Sequence, residues 1–159
     1  MNYFELFELP VSFNTDKTSL ALKYFALQKK YHPDFFTQAG EAEQEEALER
    51  SSLANRALKT LQNKDATIKY VLQLKGLLEE EEKYELPPDF LMEMMEMNEE
   101  LSDNTHQQIN EIEKKLYSAV ASIIENYDDA ITTTPELLKV KEYYYKKKYL
   151  QRILDRIGG

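Results

Sequence analysis

The residues best placed to do chemistry are His32, Pro33 and Asp34, a triplet in which a rigid imino acid separates two polar side chains. Proline fixes its own φ and drives the residue before it toward extended geometry. His32 is thereby taken out of helical backbone, and Asp34 is presented for a charge-assisted bond to a cationic partner. This is recognition chemistry. The chain contains no cysteine and only two histidines, so it offers no thiol nucleophile, no disulfide framework and no Cys or Cys/His metal site. The second histidine, His106, has no ligand partner and reads as a surface residue. No catalytic residue, metal ligand, cofactor or enzyme activity is expected. Such a triplet occurs by chance in roughly one chain in a hundred of this length, and alone it reads as a helix stop with an Asx turn.

The surroundings change that weight. A short helix over residues 2–8, with Phe4 and Phe7 inward, should end before Pro10. The next helix is predicted from the Asp16 cap to Tyr31, where His32-Pro33 stops it. Leu20, Tyr24, Leu27 and Tyr31 give it one apolar stripe, and Lys23, Lys29 and Lys30 fall within about 120° of one another on the far side. The helix therefore reads as apolar inside and basic outside. After a loop over residues 35–40, the Glu-rich segment from Glu41 suits a helix N-terminus. Ala54, Leu58 and Leu61 form its inner face, Asn63 its stop and Asp65 a new cap. A fourth helix carrying Ile68, Val71, Leu72 and Leu74 ends at Gly76.

The net charge is −9, which opposes phosphate backbones and anionic membranes, so neither nucleic acid nor a membrane is an expected partner. No apolar run approaches the roughly 18 residues of a spanning helix. The charge is concentrated. Residues 1–76 hold 10 acidic and 10 basic side chains and residues 102–159 hold 9 of each, whereas residues 77–101 hold 10 acidic side chains against Lys83 alone.

That acidic segment opens a second unit. Residues 77–87 read as a charged linker, and Pro88 suits a first helical position. Helices are predicted over residues 88–101, 105–131 and 135–157, with Thr134-Pro135 as cap and first position. Ile109, Ile112, Leu116, Ala119 and Ile123 mark the middle helix, and Leu138, Tyr145, Tyr149 and Ile153 the last. Three antiparallel helices in a small bundle follow. In the first of them Phe90, Met94, Met97 and Leu101 form the inner stripe. A second strip, Leu91, Met92 and Met95, shares its side with Glu96 and Glu99. Apolar side chains rimmed by carboxylates suit either a protein-docking site or packing on a neighbouring element.

The helix stop at Tyr31-His32-Pro33-Asp34, set between two helices, resembles the J-domain signature, with the match running over residues 2–76. That resemblance implies that His32, Pro33, Asp34, Lys23, Lys29 and Lys30 dock on the nucleotide-binding domain of an HscA/DnaK-type ATPase chaperone and stimulate hydrolysis. Phe25 and Ala26 stand where that family often carries charge. The whole chain further resembles the HscB family of iron-sulfur cluster co-chaperones, through Tyr3-Phe4-Glu5-Leu6-Phe7, His32-Pro33-Asp34-Phe35, and Phe90-Leu91-Met92-Glu93 with Glu99-Glu100-Leu101. It implies that Leu91, Met92, Met95, Glu96 and Glu99, aided by Tyr145 on the last helix, bind an IscU-type cluster scaffold. The expected fold is all-α and L-shaped: a J domain over 1–76, the linker over 77–87 and a three-helix domain over 88–159. A chain opening on its first domain without a basic leader is expected in the bacterial cytoplasm, ahead of the mitochondrial matrix. A general J-domain co-chaperone for unfolded clients and a helical interaction protein unrelated to chaperones stand as alternatives.

Overall fold

The computed structural model describes residues 1–158, in seven α-helices and one 3₁₀ turn, with no strand among the described residues. The chain divides into two compact units, one from Met1 to Val71 and one from Leu72 onward. The sequence expectation of an all-α fold therefore holds.

The first unit contains α1 (Tyr3–Leu6), α2 (Lys17–Tyr31), α3 (Glu41–Gln62) and most of α4 (Lys64–Leu74). Asn2 caps α1 by accepting the Glu5 amide at 2.8 Å. The helix ends earlier than expected. Glu8 takes a left-handed conformation at φ 54°, and the Leu9 amide returns to the Phe4 carbonyl at 2.9 Å. The turn is thus made before Pro10, by a residue whose Cβ crowds that backbone, at a typical cost of about 1 kcal/mol. Glu8 lies 3.8 Å from Lys23, but with its side chain 81% exposed the pair contributes little. Glu8→Gly is expected to raise stability by about 0.5–1 kcal/mol, read as a higher urea midpoint.

Phe4, Phe7, Phe13, Leu20, Leu61, Ile68 and Val71 are buried in this unit. Tyr3 stacks on Tyr70 with centroids 4.4 Å apart, and its amide donates to the Tyr70 hydroxyl at 2.8 Å. Asp16 caps α2 as its position predicts, accepting the Ser19 amide at 2.9 Å. The buried face of α3 is small-sided: Ala47, Ser51, Ala54 and Ala57. Between α2 and α3 runs a polar seam in which Gln28 bonds the Ser51 hydroxyl and the Asn55 amide oxygen, while Tyr24 donates to Asn55 at 2.7 Å. The cap of α4 is Asn63, whose Oδ1 accepts the Ala66 amide at 2.8 Å, so Asp65 is not the cap. Asn63 both ends one helix and starts the next.

The second unit carries α5 (Pro88–Glu99), α6 (Thr105–Glu125) and α7 (Thr134–Gly158). Phe90, Met94, Ile109, Leu150 and Ile153 form its buried cluster, with Met97, Leu116 and Tyr149 packed against it. α6 stops six residues short of expectation, at Glu125, because Asp128 forms its own turn: its side chain accepts the Ala130 amide at 2.9 Å and its amide donates to Thr132 Oγ1 at 3.0 Å. The cap of α7 is Thr133. It forms a reciprocal box with Glu136, giving its amide to Oε1 at 3.0 Å and receiving the Glu136 amide at 3.3 Å, so Thr134 is already helical. Ile109, Ile112, Leu116, Tyr149 and Ile153 lie in or against the core as their spacing predicts, but each stripe shifts by one residue away from α5. Val120 and Ile124 are buried where Ala119 is exposed, and Leu137 is buried where Leu138 is 46% exposed.

Gly76 closes the turn after α4 at φ 71°, with Leu77 N–H returning to the Leu72 carbonyl at 2.9 Å. Residues 77–87 then form a strap laid on α7. Leu78 is buried, Glu82 lies 2.8 Å from the Lys141 ammonium, and Tyr84 stacks on Tyr145 at 4.4 Å. The Lys141 ammonium also sits 5.5 Å from the centre of the Tyr84 ring. Partial burial pulls the Glu82 carboxyl upward, but Lys141, with help from the Glu79 backbone and the Tyr145 hydroxyl, outweighs it and holds the group below its usual value. The pair's contribution is therefore complete above the ordinary Glu value of 4.5 and is lost as pH falls through the lowered folded value. Glu82→Gln is expected to cost about 1–2 kcal/mol at pH 7 and to flatten the acid-side loss of stability, followed by urea denaturation from pH 6 to pH 3.

Candidate functional sites

The loop that carries the triplet is braced from within. His32 ends α2, its amide donating to the Gln28 carbonyl at 2.9 Å, and takes φ −58°, ψ 131°, the extended geometry that Pro33 demands. Residues Pro33–Phe36 then form a 3₁₀ turn rather than open loop. Two bonds close it: Asp34 N–H donates to His32 Nδ1 at 3.2 Å and Phe35 N–H to the His32 carbonyl at 3.0 Å. An acceptor at Nδ1 places the ring proton of neutral His32 on Nε2. The far end is tied to α3, where the Gln44 amide donates to the carbonyls of Phe36 at 3.0 Å and Ala39 at 3.2 Å. Sequence reasoning missed Gln44, since nothing in a Glu-rich helix start marks one polar side chain as a loop anchor.

The result is a fixed turn from which the Asp34 carboxylate projects with 86% of its side chain exposed, 3.6 Å from His32 Nδ1. Phe35 is exposed beside it, edge-on to the His32 ring at 6.1 Å. Lys29 and Lys30 are exposed on α2, Lys30 lying 5.1 Å from the Tyr31 ring centre, while Lys23 leans on Glu8. The outer face is not simply basic. Leu22 and Phe25 are each 66% exposed there. At 100° per residue Leu22, Phe25, Ala26 and Lys29 share an arc of about 100°, bordered by Lys30 and Lys23. The predicted basic face is in fact an apolar strip set among lysines.

On α5, Phe90 and Met94 enter the core as predicted and Met97 packs beside them. Leu101, predicted as the fourth inner residue, lies past the helix end and is 50% exposed. The second strip faces outward: Met92 is 62% and Met95 57% exposed, Leu91 is half-buried, and Glu96 and Glu99 are exposed. The opposite flank carries a feature the sequence did not reveal. Glu93, Glu96 and Glu100 line a groove of about 710 Å³ with Glu111 and Ile112 of α6. The charge count had singled out the acidic residues, but which face they take depends on where α6 lies. α5 thus shows a methionine strip on one side and a carboxylate-lined groove on the other.

Tyr145 sits apart from this pattern. It stacks on Tyr84, meets Tyr144 edge-on at 5.2 Å and bonds Glu82, and burial together with the Glu82 charge pushes its hydroxyl up to about 12. The tyrosine of α7 that packs on α5 is Tyr149, edge-on to Phe90 at 6.0 Å. Among the described residues no group of three or more His, Cys, Asp or Glu side chains is arranged to hold a metal ion, and no helix is long and apolar enough to cross a membrane.

Residues 86–158 match the family model described as the HSCB C-terminal oligomerisation domain. A Vibrio cholerae protein described as a co-chaperone protein HscB homolog is 42% identical over 106 residues, which is 66% of this chain and 62% of that one. The matched region therefore spans less than two thirds of that relative. The mouse iron-sulfur cluster co-chaperone protein HscB is 34% identical over 158 residues, covering 98% of this chain and 67% of its own. The chain belongs to the HscB family. The crystal structure of human co-chaperone protein HscB superimposes with a TM-score of 0.78 at 29% identity over 99% of this chain and 81% of that one. The structure of chaperone HscB from Vibrio cholerae gives 0.63 at 27% identity, covering 99% of each chain. With the all-helical architecture, these likenesses place the chain as an HscB-type J domain followed by a C-terminal helical domain. The braced turn and the α5 strip lie in different units of the chain.

Proposed function

We propose that this chain is an adaptor that brings an IscU-type cluster scaffold to an HscA/DnaK-type chaperone and stimulates that chaperone's ATPase. His32, Pro33, Asp34, Lys23, Lys29 and Lys30 engage the chaperone. Leu91, Met92, Met95, Glu96 and Glu99 hold the scaffold, with Tyr145 supporting it from α7 through the strap. The chain makes and breaks no bonds of its own.

One observation carries the reading. Two side-chain sets with no structural task, the Asp34 carboxylate at 86% exposure and the Met92–Met95 strip at 62% and 57%, occupy separate units. An exposed methionine strip with carboxylates at its edge adapts to a protein surface, and a rigid carboxylate loses little entropy when it meets a cation. The mouse and human relatives, both named iron-sulfur cluster co-chaperones, support cluster assembly as the setting. A general client-delivering J protein has less support, because the exposed apolar surface of α5 is a narrow strip interrupted by Glu99 and bordered by Glu96. The test is a single-turnover ATPase assay on the chaperone with scaffold, chain, or both. Hydrolysis faster with both than with either alone is expected; an unchanged rate sinks the proposal.

A further inference from the structure

The face of α7 beneath the strap holds an unmatched set of charges. Tyr145, Lys148, Tyr149 and Arg152 fall within about 100° of arc on that helix. Together with Lys83 and Tyr84 of the strap they line a cleft of about 240 Å³. Glu82 is the one carboxylate in the lining, and it is already paired with Lys141 at 2.8 Å. Three cations therefore face the cleft with no anion of their own. This inverts the local charge: Lys83 is the only base among the 10 acidic residues of segment 77–101.

The cations enter the cleft from separate points of the backbone. Lys148 and Arg152 are one turn apart, about 6 Å along the axis, and Lys83 approaches from the strap. A lone phosphate calls for donors that meet at one point. Charges separated by a helical turn, with tyrosine rings between them, instead match carboxylates spaced along a peptide with apolar groups in between.

We propose that this cleft is a second docking site, one that receives an acidic peptide segment, its carboxylates on Lys83, Lys148 and Arg152 and its apolar groups against Tyr84 and Tyr149. It goes beyond the docking role of the α5 strip and needs no particular scaffold. Together the two would key a partner's orientation: the carboxylates of α5 reject an acidic segment that the cleft accepts. Orientation by paired regions of opposite charge is a common source of specificity at interfaces.

The experiment is an NMR titration of the full ¹⁵N-labelled chain with a hexaglutamate peptide at low salt. Saturable shifts confined to residues 82–86 and 145–152 are expected, with affinity at least tenfold weaker in Lys148→Glu/Arg152→Glu. Both side chains are exposed, so folding should survive; Lys83→Ala provides a milder variant expected to weaken binding severalfold. Shifts that do not saturate, that spread over lysines elsewhere, or that persist unchanged in the variants overturn the site. Equal saturation by inorganic phosphate at matched concentration overturns the peptide assignment.

Discussion

Asp34→Asn is expected to abolish stimulation of the chaperone's ATPase while leaving scaffold binding and folding unchanged. The carboxylate makes no bond that holds the turn: the bracing bonds run from its own amide to His32 Nδ1, from Phe35 N–H to the His32 carbonyl, and from Gln44 to the loop carbonyls. Asn keeps the shape, the backbone donor and a polar tip. It loses the negative charge, so a bond to a chaperone cation falls from charge-assisted to neutral. Removing one partner of a desolvated, hydrogen-bonded charge pair typically costs about 2–5 kcal/mol, which corresponds to a loss of roughly thirtyfold or more in the stimulated rate at subsaturating chain. A urea midpoint within error of wild type, with stimulation gone, is the expected pair of results. Undiminished stimulation in single turnover excludes Asp34 from the interface. A lowered midpoint shows instead that the carboxylate supports the turn through its 3.6 Å approach to His32.

Much of this was legible in the sequence because it is local. Asp16 before an apolar stripe, Pro88 at a first helical position, Gly76 after a last turn and His32 before Pro33 each act within a few residues of their own position, Asp16 by its side chain and the others by their backbone, and the structure shows all four in those roles. Phe90 and Met94 were readable as core because α5 is short and its strongest stripe is regular. Failures arose where more than one local solution was available. Asn63 and Asp65, or Thr133 and Thr134, are equally good caps on paper, and side-chain bonds to Ala66 and Glu136 decide between them. α7 offers apolar or aromatic residues on several faces, so periodicity could not choose Leu137 over Leu138 as the buried residue, nor tell which of its tyrosines packs on Phe90, which the structure shows to be Tyr149. On α2 the lysines drew attention away from Leu22 and Phe25, whose exposure is visible only when the opposite face is seen to be filled.

The contacts of the segment over residues 77–87 were hidden for a different reason. A run of glutamates followed by two prolines has the composition of a solvated linker. What orders it lies about 60 residues downstream, where Lys141 and Tyr145 receive Glu82 and Tyr84. Charge composition describes what a segment does alone, whereas a matched ion pair and a ring stack depend on a partner. The same segment therefore belongs with the second unit, and its net charge is partly consumed inside the protein. Glu82 is the carboxylate so consumed, while Glu79, Glu81 and Glu85 of the strap stay exposed along with the carboxylates of α5.

For that helix, Leu91→Ala with Met92→Ala is expected to weaken scaffold binding by about 2–4 kcal/mol, roughly thirtyfold to several hundredfold in Kd by calorimetry. Met92, 62% exposed, can be truncated at almost no cost to the fold, and half-buried Leu91 at little more, so the loss would report the interface. Both side chains would pass from water into contact on docking, and full burial of such a side chain is worth about 1.5–3 kcal/mol. Met95 adds a third contact on the same strip, and Glu96 its charged border. A control on the other flank separates the two surfaces of α5: Glu93→Gln with Glu100→Gln alters only the carboxylate-lined groove shared with α6. If the strip is the docking surface, the alanine pair loses affinity at every salt concentration, while the glutamine pair changes chiefly the salt dependence and on-rate. Wild-type affinity in the alanine pair would move the site off the strip, and a large loss in the glutamine pair alone would move it into the groove.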